Sequence, residues 1–270
     1  MPERRVRNQM LGPLECMVAG AGAPLILLPG LSPENGRPVG VIRAGEIQTM
    51  RLFSRRFTVY WVGRPVGLVR GATMAELTAV HAQALAQRFD GPVNVVGIST
   101  GGALAQQLAA AHPEVVRRLV LISTGSRLGA HGASTQRAMI EVAERGSPRR
   151  VMAAYAWDLV PPWRGRSAAA ALMYLFGLKV YPRARDVGDL HATLEAEDAF
   201  DLRALPTITA PTLVINGGKD RFYELDIIRE TARLIPNSRL VIYPNRGHVT
   251  VVSDRRAIGE ALAFLSASED

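Results

Sequence analysis

The sequence predicts an α/β fold in which a mostly parallel central sheet is flanked by helices on both faces and interrupted by one helical insertion. Three observations carry this. Short apolar runs rich in β-branched residues recur along the 270 residues, helical patterns lie between most of them, and from 125 to 205 the alternation stops. Strands covered on both faces read as near-continuous apolar runs, because a parallel sheet must be shielded from water on each side.

Taken in order, "RVRNQM" and "LECMVAG" suit an opening hairpin. Strands are then expected at "PLILLPG" from Pro24, "FTVYWVG" from Phe57, "VNVVGIS" from Val93, "RLVLIST" from Arg118, "PTLVING" from Pro211 and "RLVIYP" from Arg239. Covering helices fall between and after them. The first, "TMAELTAVHAQALAQRF", opens with a Thr73/Glu76 capping box and places Leu77, Val80, Ala84 and Leu85 on one face. A second follows Ser99, a third spans about 223–234, and the last about 254–265 with Ile258, Leu262 and Leu265 in register. The segment 125–205 holds only helical patterns rich in alanine, methionine and aromatics, broken by "VPPW" at 160–163. The expected organisation is therefore a core of residues 1–124 and 206–270 carrying a helical insertion at 125–205.

Composition narrows the class. A hydrophobic content of 48% is ordinary for a globular chain with a sizeable core. The net charge of +8 raises the question of nucleic acid. However, only Lys179 and Lys219 among the 32 basic residues are lysine, and the arginines are scattered, without the aromatic platforms that a single-strand binder stacks bases on. No nucleic-acid partner is expected. Nor is a membrane span, since no stretch approaches the roughly 20 apolar residues required, and the charged "MPERRVRNQ" lacks a following signal-type run. The expected location is cytoplasmic. Cys16 is the single cysteine, read as a small buried hydrophobe rather than a disulfide partner or zinc ligand.

Chemistry concentrates at three strand ends. Gly97-Ile98-Ser99-Thr100-Gly101, followed by Gly102, lies between a strand and a helix. In that context G-x-S-x-G describes a turn so sharp that neighbouring side chains would collide, and it lifts the serine hydroxyl above the carboxyl end of the sheet. A serine hydroxyl needs a base, and the base an orienting acid. After "PTLVING" comes Gly218-Lys219-Asp220, and after "RLVIYP" comes Asn245-Arg246-Gly247-His248. Asp198 and Asp201 precede their strand and Asp226 belongs to the next helix, so Asp220, at the carboxyl end, is preferred. His112, at a helix C-terminus, reads as structural, and His81 as packing or surface. His131 and His191 fall in the insertion.

These pieces resemble the α/β-hydrolase family over essentially the whole chain: "GISTGG" as elbow, "PTLVINGGKD" as acid strand and loop, "YPNRGH" as histidine loop, and the insertion where the family carries a lid. The resemblance implies Ser99 as nucleophile, His248 as general base and then acid, and Asp220 as the group orienting His248. It also implies an oxyanion hole from the backbone N–H groups of Thr100 and Leu31, although this chain has Pro29-Gly30 where many members have a His-Gly pair.

The reaction expected of such a site is hydrolysis of a small hydrophobic carboxylic ester, lactone or thioester through an acyl-enzyme, with no metal and no organic cofactor. Ile98, Trp157, Trp163 and Phe176 are the candidate contacts for the acyl substrate, three of them in the roof that the insertion would form. Ser99, His248 and Asp220 could equally serve carbon–carbon bond hydrolysis, cofactor-free perhydrolysis or aminopeptidase-type cleavage. A non-catalytic ligand receptor is the contrasting reading.

Overall fold

The structure is a computed structural model that describes residues 6–145, 147–159, 165–181 and 187–267. An eight-stranded sheet forms its centre. Its strands are β1 (Arg7–Leu11), β2 (Leu14–Gly20), β3 (Pro24–Leu28), β4 (Thr58–Val62), β5 (Val93–Ile98), β6 (Val116–Ile122), β7 (Thr212–Gly217) and β8 (Ser238–Tyr243). The spatial order is β1-β2-β4-β3-β5-β6-β7-β8, with β1/β2 and β2/β4 antiparallel and every other pair parallel. The opening hairpin turns at Gly12, whose φ of 56° suits a residue without Cβ.

Ten helices are described: α1 (Gly40–Phe53), α2 (Met74–Arg88), α3 (Thr100–Ala111), α4 (Ala130–Glu144), α5 (Pro148–Leu159), α6 (Arg166–Val180), α7 (Gly188–Asp198), α8 (Leu225–Leu234), α9 (His248–Val252) and α10 (Arg255–Ser266). The Thr73/Glu76 capping box at α2 is present in full: the Thr73 hydroxyl accepts from the Glu76 N–H, and the Glu76 carboxylate accepts from the Thr73 N–H. Asp254 caps α10 by accepting from the Arg256 N–H.

Alternation along the strands divides the core into two layers, as a period of two requires. Ile26, Val95, Leu119 and Leu121 face α2 and α3, meeting Leu77, Leu104 and Leu108. Leu25, Val96, Val120 and Ile122 face the other way, meeting Met50 and Phe53 of α1 and Ile258 of α10. Cys16 is buried in the first layer, where desolvation pushes its thiol up to about 12, so at neutral pH it behaves as a hydrophobe.

Between β6 and β7 the chain forms α4 to α7, with a small core of their own that includes Met139, Val151, Met152, Leu190 and Leu194. Leu31, after β3, packs against that cluster. The order of pairing reverses about β3: the chain passes from β3 to β4 on one side and returns to β5 on the other. Such a switch point opens a crevice outside the carboxyl ends of the strands, the usual ligand position in α/β sheets.

Candidate active site

Ser99 stands at this crevice, one residue past β5, as the N-cap of α3. Its backbone has φ 53° and ψ −122°, a conformation that an L-residue occupies only where its surroundings over-determine it. The surroundings here are hydrogen bonds and crowding. The Ser99 N–H donates to Ile122 O at 3.0 Å, and the Ser99 carbonyl accepts from Gly102 at 2.6 Å. A Cβ on Gly97 would lie 2.6 Å from both Ala105 Cβ and the Gly101 carbonyl oxygen. A Cβ on Gly101 would strike the carbonyls of Leu28 and Pro29, and one on Gly102 the side chain of Thr124.

Two loops meet the serine. The turn after β7 carries Asp220 and the turn after β8 leads to His248, and they are stitched together: Gly218 N–H donates to Tyr243 O at 2.9 Å and Lys219 N–H to Arg246 O at 2.8 Å. Asp220 Oδ1 accepts from the N–H groups of Phe222 (2.9 Å) and Tyr223 (3.2 Å), leaving Oδ2 to face His248 Nδ1 at 2.8 Å. His248 Nε2 lies 3.0 Å from Ser99 Oγ. With Nδ1–H donating to the carboxylate, Nε2 is the acceptor for the serine hydroxyl. The His248 backbone is held as well, because the Ser123 hydroxyl donates to its carbonyl at 2.6 Å. Phe222 and Tyr223 place their rings 4.8 and 6.0 Å from the imidazole.

Thr100 is the first residue of α3, and Leu31 lies in the loop after β3. That loop passes close to the serine: a Cβ on Gly30 would sit 3.4 Å from Ser99 Cβ. Its backbone is fixed by a buried arginine that follows β4. Arg64 Nη1 donates to Gly30 O at 3.0 Å and Pro29 O at 3.4 Å, while Nε donates to Asn35 Oδ1 at 2.9 Å. Burial lowers the pKa of this guanidinium, and the Glu197 carboxylate is the largest influence opposing the shift. Tyr155 of α5 also holds the loop, donating its hydroxyl to Leu31 O at 2.9 Å.

The structure thus brings Ser99, Asp220 and His248 into one hydrogen-bonded chain, with Thr100 and Leu31 on the two segments flanking the serine. The substrate candidates are placed differently. Ile98 ends β5 and packs partly buried against the α1 and α10 layer. Trp157, on α5, is 43% exposed and lines a groove of about 490 Å³ with His131, Thr135 and Met139 of α4. Phe176, on α6, is about half exposed, and its ring lies 5.7 Å from Lys179 Nζ. The rings found against His248 are those of Phe222 and Tyr223, not of Trp157 or Phe176. Trp163 lies outside the described residues.

Sequence reasoning missed four residues here: Arg64, Ser123, Glu197 and Tyr223. Arg64 and Ser123 both follow the carboxyl end of a strand, which was the available signal. Tyr223 was legible only as a neighbour of Asp220. Glu197 sits in "EAED", a run that reads as a solvated helix face, yet it is 2% exposed.

A mostly parallel sheet with a serine on a strained strand-to-helix turn, set in a hydrogen-bonded chain with a histidine and an aspartate, fits the hydrolase class of α/β proteins. The model for the alpha/beta hydrolase family matches residues 23–261, and the chain belongs to that family. It is 32% identical over 263 residues to the polyketide synthase ThaQ of Burkholderia thailandensis; this covers 93% of the chain but only 12% of that much longer protein. It is 30% identical over 250 residues to the 2-hydroxymuconate semialdehyde hydrolase of Pseudomonas putida, covering 86% of this chain and 83% of the relative. Among solved structures, the enol-lactonase of Burkholderia xenovorans LB400 superimposes with a TM-score of 0.70 at 21% identity, covering 97% and 100% of the two chains, which is a likeness of fold. No helix among the described residues is long and apolar enough to cross a membrane.

Proposed function

We propose that the protein is a serine hydrolase that cleaves a small hydrophobic carboxylic ester, lactone or thioester through an acyl-enzyme. The observation that carries this reading is the continuous chain from Ser99 Oγ through His248 to Asp220, with separations of 3.0 and 2.8 Å. In the proposed course His248 Nε2 takes the hydroxyl proton as Ser99 Oγ attacks the acyl carbon. Asp220 holds the imidazole in the tautomer this requires and stabilises the imidazolium that forms. The N–H groups of Thr100 and Leu31 receive the oxyanion, and the helix N-terminus at Thr100 adds its partial positive charge. His248 then gives the proton to the departing oxygen or sulfur. A water activated by the same imidazole releases the acid and restores Ser99. Substrate selection is assigned to the helical segment between β6 and β7, the lid of this reading, with Ile98 beside the serine.

A second reading, hydrolysis of a carbon–carbon bond, is favoured by the 30% identity to the 2-hydroxymuconate semialdehyde hydrolase. Both readings use the same nucleophile and base. A fluorophosphonate probe is expected to label the wild-type protein at Ser99 and to leave Ser99→Ala unlabelled. Turnover of a p-nitrophenyl ester series then separates the two, since the first reading requires measurable hydrolysis of short or medium acyl chains. Failure of the wild type to label defeats both.

A further inference from the structure

We propose that Glu197, on α7, is a positioning residue that holds the serine turn and the acid loop in register for acyl transfer. The inference rests on the reading of Ser99, His248 and Asp220 given above and adds a fourth side chain to it. Glu197 Oε2 accepts two hydrogen bonds, from the Thr100 hydroxyl at 2.8 Å and from Gln136 Nε2 of α4 at 2.7 Å. Oε1 accepts a third, from the Tyr223 hydroxyl at 3.1 Å.

Each donor belongs to a different part of the machinery. Thr100 is the residue whose backbone N–H is assigned to the oxyanion, so a tether on its side chain fixes where that N–H points. Tyr223 donates its own N–H to Asp220 Oδ1 at 3.2 Å and stacks its ring on the imidazole of His248, 6.0 Å away with an interplanar angle of 23°. Gln136 attaches the assembly to the helices between β6 and β7. One carboxylate therefore reaches both the nucleophile side and the acid–base side of the site.

The chemistry of the group explains why a carboxylate stands there. Three donors converge on one point, and an ionised carboxylate is the side chain that accepts on both oxygens without having to donate. Burying it is costly, and no ion pair within 4 Å offsets that cost among the described residues. An apolar side chain would fill the space more cheaply but would release all three donors. Burial raises the Glu197 pKa, while the bonds from Thr100, Gln136 and Tyr223 and the charge of Arg64 act in the opposite direction.

The test compares wild type, Glu197→Ala, Glu197→Gln and Thr100→Val in fluorophosphonate labelling rate and in kcat and KM for p-nitrophenyl esters, with Tm as the check on folding. Glu197→Ala is expected to lower kcat and the labelling rate together by about 10- to 100-fold, the scale on which misplacing reacting groups acts, with KM within about twofold. Glu197→Gln is expected to recover most of that loss, because its carbonyl can accept from Thr100 and Gln136 while the Tyr223 hydroxyl turns to accept from its amide. Thr100→Val keeps the backbone N–H and cuts only the tether; it is expected to lose about tenfold in kcat, and it decides the matter if Glu197→Ala does not fold. Three results would overturn the proposal: a folded Glu197→Ala or Thr100→Val variant with kcat within about twofold of wild type, a loss confined to KM, or a Gln variant no better than Ala. A wild type that does not label defeats the site as a whole, whereas equal labelling of wild type and Glu197→Ala defeats the positioning role alone.

Discussion

At the scale of single residues, two non-glycine positions among those described have positive φ, Ser99 and Ser123, both at 53°. Such a backbone costs on the order of 1–3 kcal/mol and persists only where neighbours impose it. Both serines directly follow central strands, and both touch His248, one through its ring and the other through its carbonyl. The residue most exposed to a small chemical change is Asp220. In Asp220→Asn the amide oxygen can still accept from Phe222 and Tyr223, but an NH₂ then faces His248 Nδ1, and the imidazole must carry its proton on Nε2. That tautomer cannot accept from the Ser99 hydroxyl. The expected result is a fall in kcat of roughly 10⁴-fold with Tm little changed; a variant retaining a tenth of the wild-type rate would contradict the assigned role.

At the scale of elements, the strands were the most legible part of the chain. All six parallel-sheet runs read from the sequence form strands, with ends displaced by a residue or two, because burial on both faces leaves an uninterrupted apolar signature. α1 was not legible. It begins after Val39 with no side-chain cap, contains Gly40 and Gly45, and has no acidic residue in its first turn, so every local signal is weak. What holds it is tertiary: Met50 and Phe53 are fully buried against the sheet. α2 carries the clearest pH liability. His81 is buried, its Nδ1–H donates to Leu77 O at 2.8 Å, and desolvation pushes its pKa down to about 4 from an ordinary 6.5. Because the unfolded chain binds the proton more tightly, this residue's contribution is complete above pH 6.5 and is lost as pH falls from 6.5 toward 4. The loss amounts to about 3 kcal/mol. Urea midpoints measured across that window should fall steadily in wild type and more shallowly in His81→Gln; equal slopes would refute the assignment.

On the scale of the whole molecule, legibility follows chemistry. Ser99, Asp220 and His248 could be picked out because each follows a readable strand in the order the family uses, and the structure brings them within hydrogen-bonding distance. Glu197 could not, since its importance arises from burial and nothing in "EAED" distinguishes a buried charge from a solvated one, and Arg64 was marked only by its place just after a strand. The sheet also sets a gradient of local stability. β5, β6 and β7 are central and covered on both faces, whereas β1 is an edge strand whose outer residues are exposed, Met10 at 58%. Hydrogen exchange should therefore proceed first at β1 and last at β5 and β6, with a difference in opening free energy approaching the global stability. Equal protection at the two places would contradict this account of the core.

The fork that anchors Pro29 and Gly30 also limits what the chain can tolerate at position 64. Two separate nitrogens of one rigid plane reach three neutral oxygens, on Asn35, Pro29 and Gly30. A lysine would bring the same sign of charge to a single tip and could not span that triangle. In a chain whose basic residues are almost all arginine, this is one position where shape, rather than charge or compositional drift, dictates the choice.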